Sequence, residues 1–309
     1  MKAEGMFSIR VPASTANLGP GFDSIGLAVN RYLTLYVTPN KEWAFEAISD
    51  NLSGLPSGKD NLIYQVAASI AESHGEASLP PVAVQLTSDF PMSKGFGSSA
   101  AAIVAGIELA DQLLGLDLSL KEKARHASLY EGHPDNVSAS LYGGLVIGCH
   151  QTNDTHIVLG GRPDIDIVAV IPNYEMKTDD SRGLLPENFP YHQAVEASSI
   201  SNVLTAALLQ NDWELAGKMM SEDLFHQPYR VQAIAEWEKL MYLKESLPIY
   251  GVAISGAGPI LLCFTHPRKG KSVMRRLAPH FPDGAVELLQ PAGKGVTVTL
   301  DSHTCSAAK

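Results

Sequence analysis

Short apolar and β-branched runs alternate with longer stretches of helical periodicity through the first half of the chain. The runs at 7–11, 32–37 and 82–86 predict strands, and the periodic segments 61–74 and 98–114 predict helices. Two further helical stretches, 118–131 and 134–142, lead into a buried-looking strand at 145–149. Turn formers then crowd 151–162, between that strand and another at 165–171. The second half continues with helices across 194–244, strands at 251–255 and 260–264, a helix at 271–281, and strands at 286–289 and 296–300. Strands with helices segregated between them predict an α+β fold. The composition change at 151–162 predicts two domains, 1–155 and 156–309. No internal repeat or low-complexity segment interrupts this pattern.

Composition narrows the function classes. With 45% hydrophobic and 18% charged residues, the 309-residue chain can bury a sizeable core. A net charge of -10, with the 23 Lys and Arg scattered, argues against a nucleic-acid partner. Cys149, Cys263 and Cys305 are odd in number and follow no metal-ligand spacing, which predicts a reducing compartment and no zinc site. The first ten residues carry no apolar signal core, and no run of about 18 apolar residues occurs. A soluble, cytoplasmic chain with no membrane partner is expected.

The candidate chemistry lies in one eleven-residue string: Pro91, Met92, Ser93, Lys94, Gly95, Phe96, Gly97, Ser98, Ser99, Ala100 and Ala101. A Gly- and Ser-rich loop running into a helix of small residues is an anion site. The glycines let backbone approach a phosphate, the first-turn N–H groups point at it, and the helix dipole favours negative charge. Hydroxyls of Ser98 and Ser99 can bond phosphate oxygens or a magnesium ion. No Gly-Lys-Ser/Thr closes the loop, so it is not a Walker A motif, and the Rossmann spacing is absent.

The string resembles the central motif of the GHMP kinases, and two more motifs of that family follow its order along nearly the whole chain. The first runs from Val11 through Asn17 to Asp23; the third runs from Ile254 to Pro259, a tight turn between two apolar strands. The resemblance implies an α+β, two-domain fold, with a left-handed βαβ unit in the N-terminal domain and a ferredoxin-like C-terminal domain. It also implies ATP against the 91–101 loop, Mg2+, and the third motif packed near that loop. A homodimer is compatible with it.

Within the family the first motif resembles the branch that phosphorylates L-homoserine, not the mevalonate or galactose branches. Homoserine offers a carboxylate, an ammonium and a hydroxyl, so its site needs an arginine fork, an anion and a polar orienter. The resemblance places Asn17 and Asp23 near the amino acid, Asn136 at the reacting hydroxyl, and Arg182 and Arg230 on the carboxylate. It assigns Mg2+ to Glu131 with Ser98 or Ser99. Asp135 is the base candidate, beside a route in which the hydroxyl attacks directly, oriented by Asn136 and with Ser98 and the rest of the loop stabilising charge. Lys94 reads equally as a phosphate contact or an exposed loop residue, and His133 as structural. Alternatives are a GHMP kinase for mevalonate or a cytidyl-erythritol, and a non-catalytic ligand sensor.

Overall fold

The computed structural model describes residues 6–92 and 94–300, so Ser93 and Cys305 lie outside it, as do the first five residues. The first half builds strands β1 (Phe7–Asn17), β2 (Gly21–Pro39) and β3 (Ala44–Ala47), helix α1 (Leu62–Ser73), strand β4 (Val82–Ser88), and helices α2 (Ser98–Leu114), α3 (Leu120–Glu131) and α4 (Asp135–Tyr142). Strands β5 (Leu145–His150), β6 (Thr155–Gly161) and β7 (Asp166–Ile171) follow. Then come helices α5 (Thr178–Arg182), α6 (Tyr191–Leu209), α7 (Trp213–Ser221), α8 (Gln227–Arg230) and α9 (Trp237–Lys244). Strands β8 (Ile249–Ile254) and β9 (Leu261–Thr265), helix α10 (Gly270–Leu277), and strands β10 (Ala285–Leu289) and β11 (Thr297–Leu300) complete the chain.

Two sheets carry the fold. The larger runs β11-β1-β2-β4-β3, with β5 on β2 and β6 on β5; the smaller runs β10-β7-β9-β8. Renumbered within itself the smaller sheet has the order 4-1-3-2, all antiparallel, which is the ferredoxin-like arrangement. In the larger sheet β3 and β4 pair parallel across the α1 crossover, a βαβ unit. The sheets do not divide at residue 155. Strand β6 opens there yet joins the first sheet, and β11 returns from the end of the chain to pair with β1.

The 151–162 segment, expected as a connection, is thus largely strand. Its Thr155–Gly161 stretch is an edge that bonds β5 alone and leaves Val158 and Leu159 more than half exposed, so no buried periodicity announces it. Helix α2 shows the opposite case. Thirteen of its seventeen residues are buried, mostly alanines and small aliphatics that let neighbouring elements come close. At Gly106 an added Cβ would meet the Ile63 carbonyl oxygen of α1 at 2.7 Å, so only hydrogen fits at that crossing. Among the described residues no helix is long and apolar enough to cross a membrane.

Candidate active site

The β4–α2 junction turns on two glycines with positive φ, Gly95 at 102° and Gly97 at 65°. Gly97 is the N-cap of α2, and the first-turn N–H groups open from it. The loop is clamped from two sides. Ser14 N donates to the Phe96 carbonyl (3.0 Å), while Ser255 Oγ donates to that of Gly95 (2.5 Å), so the first and third motifs meet on the second. Of the ten described loop residues, Gly95, Gly97, Ser98 and Ser99 line the central cavity. Phe96, Ala100 and Ala101 instead bury their side chains in the core. Lys94 sends its ammonium to the Pro172 carbonyl at 2.9 Å, bracing the loop against the second sheet.

Helix α3 runs back toward this loop and ends at Glu131, whose Oε2 accepts from Ser99 Oγ at 3.2 Å. Burial pushes the Glu131 carboxyl above its ordinary range, against the opposing pull of His133 and Ser99. A half-buried carboxylate beside a serine hydroxyl at a helix N-terminus is a donor set that fits Mg2+. Asp23, His133 and Asp135 also bring one ligand atom each within 4.8 Å of one another, but these are committed elsewhere. Both oxygens of Asp23 bind Arg182, and Asp135 Oδ1 accepts from His133 Nδ1 (2.6 Å) and Asn136 N (2.7 Å). His133 is raised above its usual value: burial would lower it, and the Asp135 carboxylate outweighs that. Asn136, buried at the start of α4, donates through Nδ2 to Ser14 Oγ at 3.1 Å.

The β1–β2 hairpin forms the third wall. Asn17, Leu18 and Gly19 turn successively through positive φ, and Asp23 follows at 52°. Asn17 holds the turn, accepting at Oδ1 from Asp23 N (3.0 Å) and donating through Nδ2 to the Gly256 carbonyl (3.1 Å). Arg182 grips Asp23 with two parallel bonds, 2.9 and 3.1 Å. Arg230 is 2% exposed, and its Nη1 donates to the same Gly256 carbonyl at 3.0 Å. Burial, with Arg182 nearby, lowers its guanidinium to about 10, so it stays charged at neutral pH. Phe22 lies between the two cations, 5.6 Å from Arg182 and 5.2 Å from Arg230.

Nine polar candidates, Asn17, Asp23, Ser98, Ser99, Glu131, Asp135, Asn136, Arg182 and Arg230, therefore face one cavity, and Lys94 does not. The arrangement pairs Asp23 with Arg182 directly, whereas the sequence assigns them to different groups of the amino acid. It also adds residues that reasoning passed over. Phe22 sits inside the first motif, and His226 lies four residues before Arg230, a spacing that places two side chains on one helical face. Beside the loop, a separate apolar pocket lined by Leu33, Leu52, Leu55, Leu62, Ile63 and Met92 shares Ser98 and Ser99 with the cavity.

Comparison with known proteins gives a concordant result. Residues 61–144 match the N-terminal domain of the GHMP kinases and residues 204–283 their C-terminal domain. Homoserine kinase from Halalkalibacterium halodurans is 53% identical over 94% of this chain and 94% of its own. That from Bacillus velezensis is 52% identical over 96% of both chains. The crystal structure of homoserine kinase from Cytophaga hutchinsonii superposes with a TM-score of 0.83 at 26% identity, covering 97% of this chain and 99% of that one.

Proposed function

The chain belongs to the GHMP kinase family, and we propose from its site that it transfers the γ-phosphoryl group of ATP to the side-chain hydroxyl of L-homoserine. One observation carries the substrate assignment: a carboxylate, Asp23, and two guanidiniums, Arg182 and Arg230, stand together across the cavity from the helix N-terminus that takes phosphate. An α-amino acid presents an ammonium and a carboxylate on one carbon, and adjacent opposite charges are what such a zwitterion needs. Nearly full-length identity above 50% to homoserine kinases supports the same reading.

The triphosphate lies along the α2 N-terminus, where Gly95 and Gly97 leave the backbone bare, and the base enters the apolar pocket that shares Ser98 and Ser99. Glu131 and Ser99 would hold Mg2+, with Ser98 beside them, and the ion would supply neutralisation of phosphate charge. Asp23 and Asn17 take the amino acid's ammonium and Arg182 and Arg230 its carboxylate, which requires the Asp23–Arg182 pair to open as the ligand enters. Asn136, fixed by Ser14, orients the hydroxyl.

The hydroxyl oxygen then attacks the γ-phosphorus, the bond to ADP breaks, and the hydroxyl proton leaves through the phosphoryl oxygens. We assign Asp135 to positioning: its Oδ1 accepts from both His133 Nδ1 and Asn136 N, which fixes the start of α4 beside the reacting hydroxyl. Rate then derives from orientation and preorganised charge.

A coupled ADP-release assay with Mg-ATP and a panel of L-homoserine, D-homoserine, L-serine, mevalonate and galactose tests this. Turnover largely confined to L-homoserine is expected, with an Asp23→Ala variant raising its KM about 100-fold while the KM for ATP stays put. Preference for mevalonate or galactose would sink the substrate assignment and keep the kinase.

A further inference from the structure

His226 is fully buried, carries no assignment in the reaction above, and makes a contact at each ring nitrogen. Nδ1 lies 3.2 Å from Arg230 Nη1, and Nε2 lies 3.0 Å from the Gly19 carbonyl. A guanidinium only donates, so Nδ1 must accept; a carbonyl only accepts, so Nε2 must carry the proton. The two partners together therefore fix one neutral tautomer. Burial pushes the imidazole down to about 4, with Asp223 opposing and Arg230 adding to the fall, so the same form persists at neutral pH.

The surroundings hold the ring as firmly as its nitrogens do. It stacks on Phe22 at 5.2 Å and 22°, against the ring that also faces both site arginines. Asp223 accepts from the backbone N–H groups of Phe225, His226 and Gln227, which fixes the start of α8. Gln227 in turn donates to the Met220 carbonyl and accepts from Ile254 N, at the root of the third motif. One imidazole thus joins the hairpin that carries Asn17 and Asp23 to the Arg230 guanidinium.

We propose that His226 is a positioning residue for Arg230: its Nδ1 aims the guanidinium at the substrate carboxylate, and its Nε2–H sets the distance from that guanidinium to the β1–β2 hairpin. The proposal rests on the reading of Arg230 as a carboxylate ligand. Without the Nδ1 acceptor, Nη1 keeps only the Gly256 carbonyl and Nε only a long 3.4 Å contact to Ser181, so the guanidinium can swing. The affected quantity is discrimination for the carboxylate, not the chemical step.

The test measures kcat/KM for L-homoserine and for 3-amino-1-propanol, the analogue lacking the carboxylate, and compares their ratio across variants. His226→Leu should lower the ratio about tenfold through KM for homoserine, leave KM for ATP unchanged, and add nothing to Arg230→Ala in the double variant. His226→Asn, whose Oδ1 can stand where Nδ1 was, should recover most of the ratio; His226→Gln, which reaches toward Gly19 and not Arg230, should not. Melting curves check folding, and if the Leu variant does not fold the Asn and Gln pair decides. Additive losses in the double variant, or Asn and Gln behaving alike, overturn the positioning role. An unchanged ratio in Arg230→Ala overturns instead the carboxylate reading beneath it.

Discussion

Lys123 on α3 reaches two carboxylates of α2, Glu108 and Asp111, each at 2.7 Å, with all three side chains 9% exposed or less. Replacing Lys123 with Met leaves two buried carboxylates facing each other without a cation, and breaking a buried pair from one side costs about 3–5 kcal/mol. For a chain of this size that is roughly a 5–15 °C fall in Tm at neutral pH. The loss should depend on pH in a defined direction. Burial already holds Glu108 above the ordinary carboxylate range against the pull of Lys123, and removing Lys123 raises it further. A carboxyl whose folded pKa exceeds its unfolded value binds more protons when folded, so its penalty is complete above the folded pKa and fades as pH falls toward the unfolded one. The Tm deficit of Lys123→Met should therefore shrink between pH 7.5 and pH 5.

A triple variant, Lys123→Met with Glu108→Gln and Asp111→Asn, should recover most of the stability, since Asn keeps an oxygen for the Leu118 N–H that Asp111 now accepts at 3.1 Å. The triad also sets helix register. From Ser99 to Glu108 along α2 is about 13.5 Å, and from Lys123 to Glu131 along α3 about 12 Å, so antiparallel helices pinned at the triad bring Ser99 and Glu131 together. The single variant should accordingly need more Mg2+ for half-maximal rate. Differential scanning fluorimetry at the two pH values, beside a Mg2+ titration of activity, reads both effects. A Tm within 1 °C of wild type, or a deficit equal at both pH values, would refute the account.

Two further outcomes follow from single positions. Gly97→Ala should cut kcat/KM more than 100-fold while the protein stays folded, because its Cβ would meet Ser14 Oγ at 2.5 Å and Asn136 Nδ2 at 2.9 Å in a backbone with φ of 65°; near-normal turnover would show that the loop yields. Cys263 is fully buried, and desolvation pushes its thiol to about 12, whereas Cys149 is exposed; iodoacetamide at pH 8 should modify Cys149 and spare Cys263 in peptide mass maps until denaturant is added, and equal labelling would contradict the packing.

How much of this was written in the chain differs from element to element. Periodicity marked most elements that bury one face, and continuous apolar runs marked those buried nearly all round, α2 among them. The edge strand β6 escaped because an edge that buries little carries no apolar alternation. The three glycine-bearing motifs were legible as strings, since close backbone approach restricts a position to glycine wherever it occurs. The resemblance placed the third motif near the loop, but the contacts that hold the three together, Ser14 N on the Phe96 carbonyl and Ser255 Oγ on that of Gly95, are seen only in the fold. The resemblance placed Asp23, Arg182 and Arg230 around a zwitterion, with fitting residue types, but did not tell that Asp23 and Arg182 hold each other, nor that Arg230 shares the Gly256 carbonyl with Asn17. His226 was unreadable for the same reason. Its role depends on which atoms meet its two nitrogens, and those atoms come from segments that only the packing of the two sheets brings within hydrogen-bond range. The sequence by itself determined the class of chemistry, through residue types that bind phosphate and charge; tertiary structure decided which of those residues face one another, because distance across a cavity is a property of the packed sheets and not of the chain.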